Sequence, residues 1–132
     1  TMNLLNMSEG AYLAIHSLAL IAGTQPKRLT VKHLARELDA SQAHLAKVFQ
    51  KLSKAGLVDS VRGPAGGFVL NREPDEITFL DIYEIMEGQV TKSDCPLGKG
   101  RCAFDSCIFT KEFNKISADI YDTYKRIKLS DF

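Results

Sequence analysis

Ser41-Gln-Ala-His-Leu-Ala-Lys-Val-Phe-Gln-Lys-Leu-Ser-Lys-Ala-Gly56 sets Leu45, Val48, Phe49 and Leu52 at i, i+3, i+4 and i+7, the spacing of one helical face. Ser41 has the side chain of an N-cap, an oxygen able to accept from an N–H that the first turn leaves unpaired. Gly56 closes the run. With the four apolar residues turned inward, Ala43, Lys47, Gln50 and Lys54 point outward, flanked by His44 and Lys51. That face holds three lysines and no acid.

Working outward, Thr30 caps a shorter helix whose Val31, Leu34, Ala35 and Leu38 face inward, and Asp39-Ala40 forms the turn between the two. Two short helices joined this tightly make a helix-turn-helix. Before them, Ser8 caps a helix with Ala11, Ala14, Ile15, Leu18, Ile21 and Ala22 on its apolar face, closed by Gly23. After them the period changes. Leu57 to Arg62 and Gly67 to Leu70 are β-rich runs around Gly63-Pro64-Ala65-Gly66, a hairpin placed where a wing would follow a recognition helix.

Thr78 with Asp81 has the form of a capping box, and Phe79, Ile82, Ile85 and Met86 carry the next helix to Gly88. Far downstream, Phe109, Phe113, Ile116, Ile120, Thr123 and Ile127 step by fours and threes, a heptad seam that a lone helix would leave wet. The expected fold is mainly α with a small β-hairpin. Residues 1–75 form a winged helix-turn-helix, and 76–132 hold a sensor loop, about 89–106, with dimerisation helices.

Charge supports a nucleic-acid face. The net charge is +1, yet residues 25–72 carry nine Lys or Arg against Glu37, Asp39 and Asp59, leaving +6 there and −5 elsewhere. The N-terminal residues of a recognition helix, here Ser41, Gln42 and His44, reach base edges, while Lys47 and Lys51 neutralise phosphates. Arg62, with Gly63 and Pro64 at the wing tip, suits the narrow minor groove, although a plain hairpin with a solvated Arg has the same residues. No apolar run spans a bilayer and no signal peptide opens the chain, so a cytoplasmic location is expected. Nothing in the spacing suggests an enzyme: there is no nucleophile with a base, no phosphate-cradling glycine loop and no paired carboxylates.

All three cysteines, Cys95, Cys102 and Cys107, fall within thirteen residues. The spacing lacks the paired C-x2-C of most zinc fingers. Three soft thiolates on one loop suit an iron–sulfur cluster (2Fe-2S or 4Fe-4S), with Gly98 and Gly100 allowing backbone approach and Lys99 and Arg101 offsetting its negative charge. Two other uses stay open: a thiol–disulfide switch through Cys95 and Cys102, and sensing through a protein partner docked on the acidic C-terminal half. His16 is read as core or interface and His33 as surface.

The segments Leu-Ala-Lys-Val-Phe-Gln-Lys-Leu (45–52), Ala-Gly-Leu-Val (55–58) and Val-Arg-Gly-Pro-Ala-Gly-Gly-Phe (61–68) resemble the Rrf-two family of winged-helix regulators, and the likeness runs from Met2 through Asp81-Ile82 into the cysteine loop. The resemblance implies a homodimer on double-stranded DNA with an imperfect palindrome, acting as a repressor, with Ser41, His44, Lys47 and Arg62 at DNA-contacting positions. It also implies cluster ligation by Cys95, Cys102 and Cys107. Some relatives have a fourth ligand, His, where this chain has Thr110; others use an acidic residue near the N-terminus of the partner subunit, a position matched by Glu9. A first-turn carboxylate favoured by the helix dipole is the competing reading of Glu9. Ala46 and Ala43 differ from the acidic residue and the Ser that some relatives carry there.

Overall fold

The computed structural model describes residues 7–90, 102–109 and 111–132. Three helices come first: α1 (Glu9–Thr24), α2 (Val31–Glu37) and α3 (Gln42–Lys54). Each begins at the cap its sequence suggests. The hydroxyls of Ser8, Thr30 and Ser41 accept from the N–H groups of Ala11, His33 and His44. Asp39, with φ of 49°, turns the chain between α2 and α3, a left-handed conformation that a short polar side chain tolerates.

Strands β1 (Val58–Val61) and β2 (Gly67–Leu70) pair antiparallel, with Val58 opposite Leu70 and Val61 opposite Gly67. Helix α4 (Phe79–Glu87) starts from a complete capping box in which Thr78 and Asp81 satisfy each other's backbone N–H. Helix α5 (Lys111–Arg126) follows the cysteine segment. Among the described residues, five α-helices and a hairpin give the mainly helical winged-helix architecture that the sequence suggests.

One hydrophobic core joins these elements. Leu13, Leu18 and Ile21 of α1, Leu34 of α2, and Leu45, Val48, Phe49 and Leu52 of α3 are buried together with Leu57 and Val58. Fully burying such a side chain contributes about 1.5–3 kcal/mol, so the four α3 residues alone fix that helix firmly. Ile77, Ile82 and Leu129 belong to the same cluster. The C-terminal Leu129 arrives through two backbone bonds: Phe79 N–H donates to the Ile127 carbonyl and Leu129 N–H to that of Ile77. Thus the far end of the chain is pinned beneath α4.

Among the described residues, helix α5 is anchored chiefly at its C-terminal end. Tyr124 meets Tyr83 and Phe79 edge-on, with centroids 5.5 and 6.4 Å apart. Towards its N-terminus, Phe113 and Ile116 are 53% and 54% exposed. His16 is on the surface, not in the core: its Nδ1 lies 2.8 Å from the Tyr12 carbonyl and its ring stacks on Tyr12. Among the described residues no helix is long and apolar enough to cross a membrane.

Candidate nucleic-acid interface

Helix α3 turns its apolar side fully inward, which leaves Ser41, Gln42, Ala43, Ala46, Lys47, Gln50, Lys51 and Lys54 exposed along one outer surface. There is no acid in its first turn, and Lys51 and Lys54 lie in the last, where cations complement the helix dipole. His44 is half-buried at the start of this surface.

The wing is built to project. Arg62, Gly63, Pro64 and Ala65 are exposed between β1 and β2. Gly66 donates its N–H to the Gly63 carbonyl at 2.9 Å, and a Cβ on Gly66 would sit 2.4 Å from the Val61 carbonyl oxygen, so no larger residue fits the turn. Gly67, with φ of 144°, has the same constraint from another side, since its Cβ would meet the Leu29 carbonyl oxygen at 2.7 Å.

That close approach anchors the wing root. Phe68 N–H donates to the Leu29 carbonyl at 2.8 Å, making an isolated bridge between the α1–α2 connection and β2. The Phe68 ring lies against Phe49 of α3 with centroids 4.3 Å apart. Arg28 adds a long hydrogen bond from its guanidinium to the Ala65 carbonyl, 3.4 Å. The recognition helix and the wing therefore share one aromatic anchor. An open cleft of about 460 Å³ lies between residues 26–30 and the wing tip, with Lys27, Arg28 and His33 among its lining.

Sequence reasoning missed the Leu29–Phe68 bridge. It joins residues 39 positions apart in the chain, and no local period signals it.

Of the candidate cluster ligands, Cys102 and Cys107 are exposed and free of disulfides. The Cys107 thiol donates to the Phe109 carbonyl at 3.4 Å. Cys95, the glycines and cations between it and Cys102, and Thr110 lie outside the described residues. Among the described residues no three His, Cys, Asp or Glu side chains gather into a metal site. The available donors are soft thiolates, matching iron–sulfur chemistry in kind, and a three-thiolate site requires Cys95. Glu9 is exposed in the first turn of α1, and its Oε1 lies 3.7 Å from Nδ1 of His44. A residue considered for the cluster thus touches one considered for DNA. His33 pairs with Glu37 of its own helix at 3.8 Å.

The profile of the Rrf2 (Rrf-two) family, described as an iron-dependent transcriptional regulator, matches residues 7–132. A chain of Aquifex aeolicus assigned as an HTH-type transcriptional regulator is 33% identical over 127 residues, covering 94% of this chain and 88% of its own length. The HTH-type transcriptional regulator IscR of Cereibacter sphaeroides is 29% identical over 133 residues, covering 98% and 86%. Among solved structures, T. potens IscR superposes with a TM-score of 0.73 at 29% identity, over 97% of this chain and 85% of that one. CymR, described as the global cysteine regulator of B. subtilis, has the same fold, with a TM-score of 0.77 at 24% identity over 99% and 95%. These relatives are transcriptional regulators, not enzymes.

Proposed function

The chain belongs to the Rrf2 family of transcriptional regulators, and from that premise we propose a dimeric, sequence-specific DNA-binding regulator that senses iron–sulfur or redox status through Cys95, Cys102 and Cys107. The observation that carries the DNA reading is the shared Phe49–Phe68 anchor, which holds an acid-free helix surface and an exposed basic wing as one body. On DNA, Ser41, Gln42 and His44 face base edges at the N-terminal end of α3. Lys47 and Lys51 neutralise phosphates, and Arg62, carried by Gly63 and Pro64, enters the adjacent minor groove.

Dimerisation follows from α5. Its exposed Phe113 and Ile116 continue a heptad seam, and a second copy crossing there gives two recognition helices for an imperfect palindrome. The family description, iron-dependent, and the exposed, disulfide-free thiols of Cys102 and Cys107 support the cluster reading. A bound cluster would supply a charge and a set of bond lengths that change when it is oxidised, nitrosylated or lost. The chain's part is to hold it with the three thiolates, Glu9 of a second subunit being the candidate fourth ligand, beside the helix that sets the spacing of the two DNA-reading surfaces.

Iron and sulfide quantification with an absorption spectrum, on protein purified without oxygen, tests the sensor. Visible absorbance that is lost in Cys102→Ser, together with a changed DNA affinity, is the expected result. A colourless, iron-free protein whose DNA affinity ignores cysteine substitution would overturn it. The exposure of both described thiols also favours a second reading, a thiol–disulfide switch. Mass analysis under non-reducing conditions after mild peroxide separates the two, since only the switch gains a bridge while staying metal-free.

A further inference from the structure

The connection between α1 and α2 carries two adjacent cations, Lys27 and Arg28, on a backbone fixed at both ends. Lys27 N–H donates to the Thr24 carbonyl at 2.9 Å, closing the turn after α1. On the other side the Leu29 side chain is buried, its carbonyl accepts from Phe68 N–H, and Thr30 caps α2 through the His33 N–H. The two basic side chains between these fixed points are exposed. Among the described residues neither is ion-paired with a carboxylate.

Arg28 does not simply run out into solvent. Its guanidinium crosses 37 positions of sequence to reach the Ala65 carbonyl at the wing tip, and that long bond occupies one of five N–H donors. The cleft of about 460 Å³ beneath it has Lys27, Arg28 and His33 on one side and Pro64, Ala65 and Gly66 on the other, with no acid among its lining. Glu37 is outside that lining, one turn along α2, where it pairs with His33. The site thus offers cations and an uncharged wall.

Its place on DNA follows from the wing. A minor groove that admits Arg62 is about 6 Å wide and is walled by the two phosphate strands. Pro64 and Ala65 belong to the same exposed tip as Arg62, so one of those strands passes the mouth of the cleft.

We infer that Lys27 and Arg28 form a phosphate clamp for the DNA strand that walls the minor groove entered by Arg62. Arg28 spans from that phosphate to the Ala65 carbonyl, so the wing and the α1–α2 connection grip one strand between them. The inference rests on the DNA reading above and adds a contact outside both α3 and the wing. A guanidinium meets two phosphate oxygens at once, whereas an ammonium is a point charge. Arg28 therefore orients the strand, and Lys27 adds charge. A free phosphate ion offers the same oxygens, and the test separates the two sources.

The test uses full-length protein and a duplex that the wild type selects from a randomised library. Each backbone phosphate is replaced in turn by a neutral methylphosphonate, and affinities are measured by fluorescence anisotropy for wild type, Lys27→Ala, Arg28→Ala, Arg28→Lys and Arg62→Ala. Neutralising one phosphate beside the minor groove should weaken wild-type binding about threefold to tenfold and have no further effect in Arg28→Ala. In Arg62→Ala the same phosphate should still count. Lys27→Ala and Arg28→Ala should each lower the salt dependence by about one unit of slope per subunit bound, while Arg28→Lys keeps the slope and loses affinity. Both side chains are exposed, so these variants should melt like the wild type. A phosphate scan identical in wild type and Arg28→Ala would sink the clamp and leave DNA binding standing. Loss of the same phosphate effect in Arg62→Ala would also sink it, by reducing Arg28 to a brace for the wing. Inorganic phosphate, titrated at constant ionic strength, should not displace the duplex. A saturable displacement that disappears in Arg28→Ala would assign the cleft to a free ion and overturn the DNA assignment. If the wild type selects no duplex, the DNA reading itself fails and the clamp with it.

Discussion

Helices α3 and α5 are both amphipathic and of similar length, 13 and 16 residues, yet the chain treats them differently. All four apolar residues of the α3 face are buried at 2% exposure or less, whereas Phe113 and Ile116 of α5 stay more than half exposed. The difference lies in what the rest of the chain can bring to each. Helix α3 is enclosed by α1, α2, β1 and the Phe68 ring, and only its polar side is left for a ligand. Helix α5 is held at its C-terminal end by Tyr124 and Leu129, and at its other end Phe113 meets the Phe109 ring edge-on at 5.7 Å while it and Ile116 stay more than half exposed. One helix presents charge outward and the other presents hydrocarbon. The first suits DNA and the second a like helix.

The largest effect should come from removing the anchor of α3. Phe49→Ala deletes the ring against Phe68 and leaves a cavity, at a cost of about 3–5 kcal/mol in urea or thermal unfolding. It should also unlock the wing. Phe113→Asp should give the opposite pattern: self-association weakened more than tenfold by analytical ultracentrifugation, about 2 kcal/mol, with little change in monomer unfolding. A Phe113→Asp protein that unfolds as readily as Phe49→Ala would break the contrast between the two helices.

Lys47→Ala removes a charge from the outer side of α3 and should leave both assembly and stability alone. It should lower the salt dependence of DNA binding by about one unit of slope, equally for all sequences. An unchanged slope would argue against the DNA surface. Ser17→Ala tests the core that α1 and α3 share. The Ser17 hydroxyl is buried without a hydrogen-bond partner among the described residues, so its removal should be neutral or stabilise by up to about 1 kcal/mol in thermal melts.

The smallest effect concerns the anchored end of α5. Burial, and after it the neighbouring Tyr83, pushes the Tyr124 phenol above its ordinary value of 10.0. Folding favours the neutral phenol, so its contribution is fully present below the ordinary value and is lost as pH rises through the higher folded one. Tyrosinate absorbance against pH, compared between wild type and Tyr124→Phe, should show the late-titrating group disappear. The anchored packing should then persist to higher pH.

Much of the winged helix was legible because its signals are local. Caps at Ser8, Thr30, Ser41 and Thr78, the apolar spacing in α3 and the glycine-rich wing each act over a few residues, and each acts as its type predicts. Leu129 was not legible. It lies beyond the seam in a short polar tail, and its burial depends on backbone pairing with Ile77, 52 positions away. Of the two readings of His16, core or interface, the core one fails for a related reason: the residue is flanked by buried residues on both sides in sequence, but the helical turn carries it to the outer face. The Glu9–His44 contact had no sequence signal, since neither residue type at its position implies the other.

Sequence alone determined the order and type of the elements, the basic central stretch and the cysteine spacing, because periodicity, capping chemistry and charge are written in neighbouring residues. Tertiary structure decided which surfaces share a support. It put Phe68 on Phe49, returned Leu129 to the core, and set Glu9 beside His44, since such pairings depend on how whole helices stack and not on any local preference.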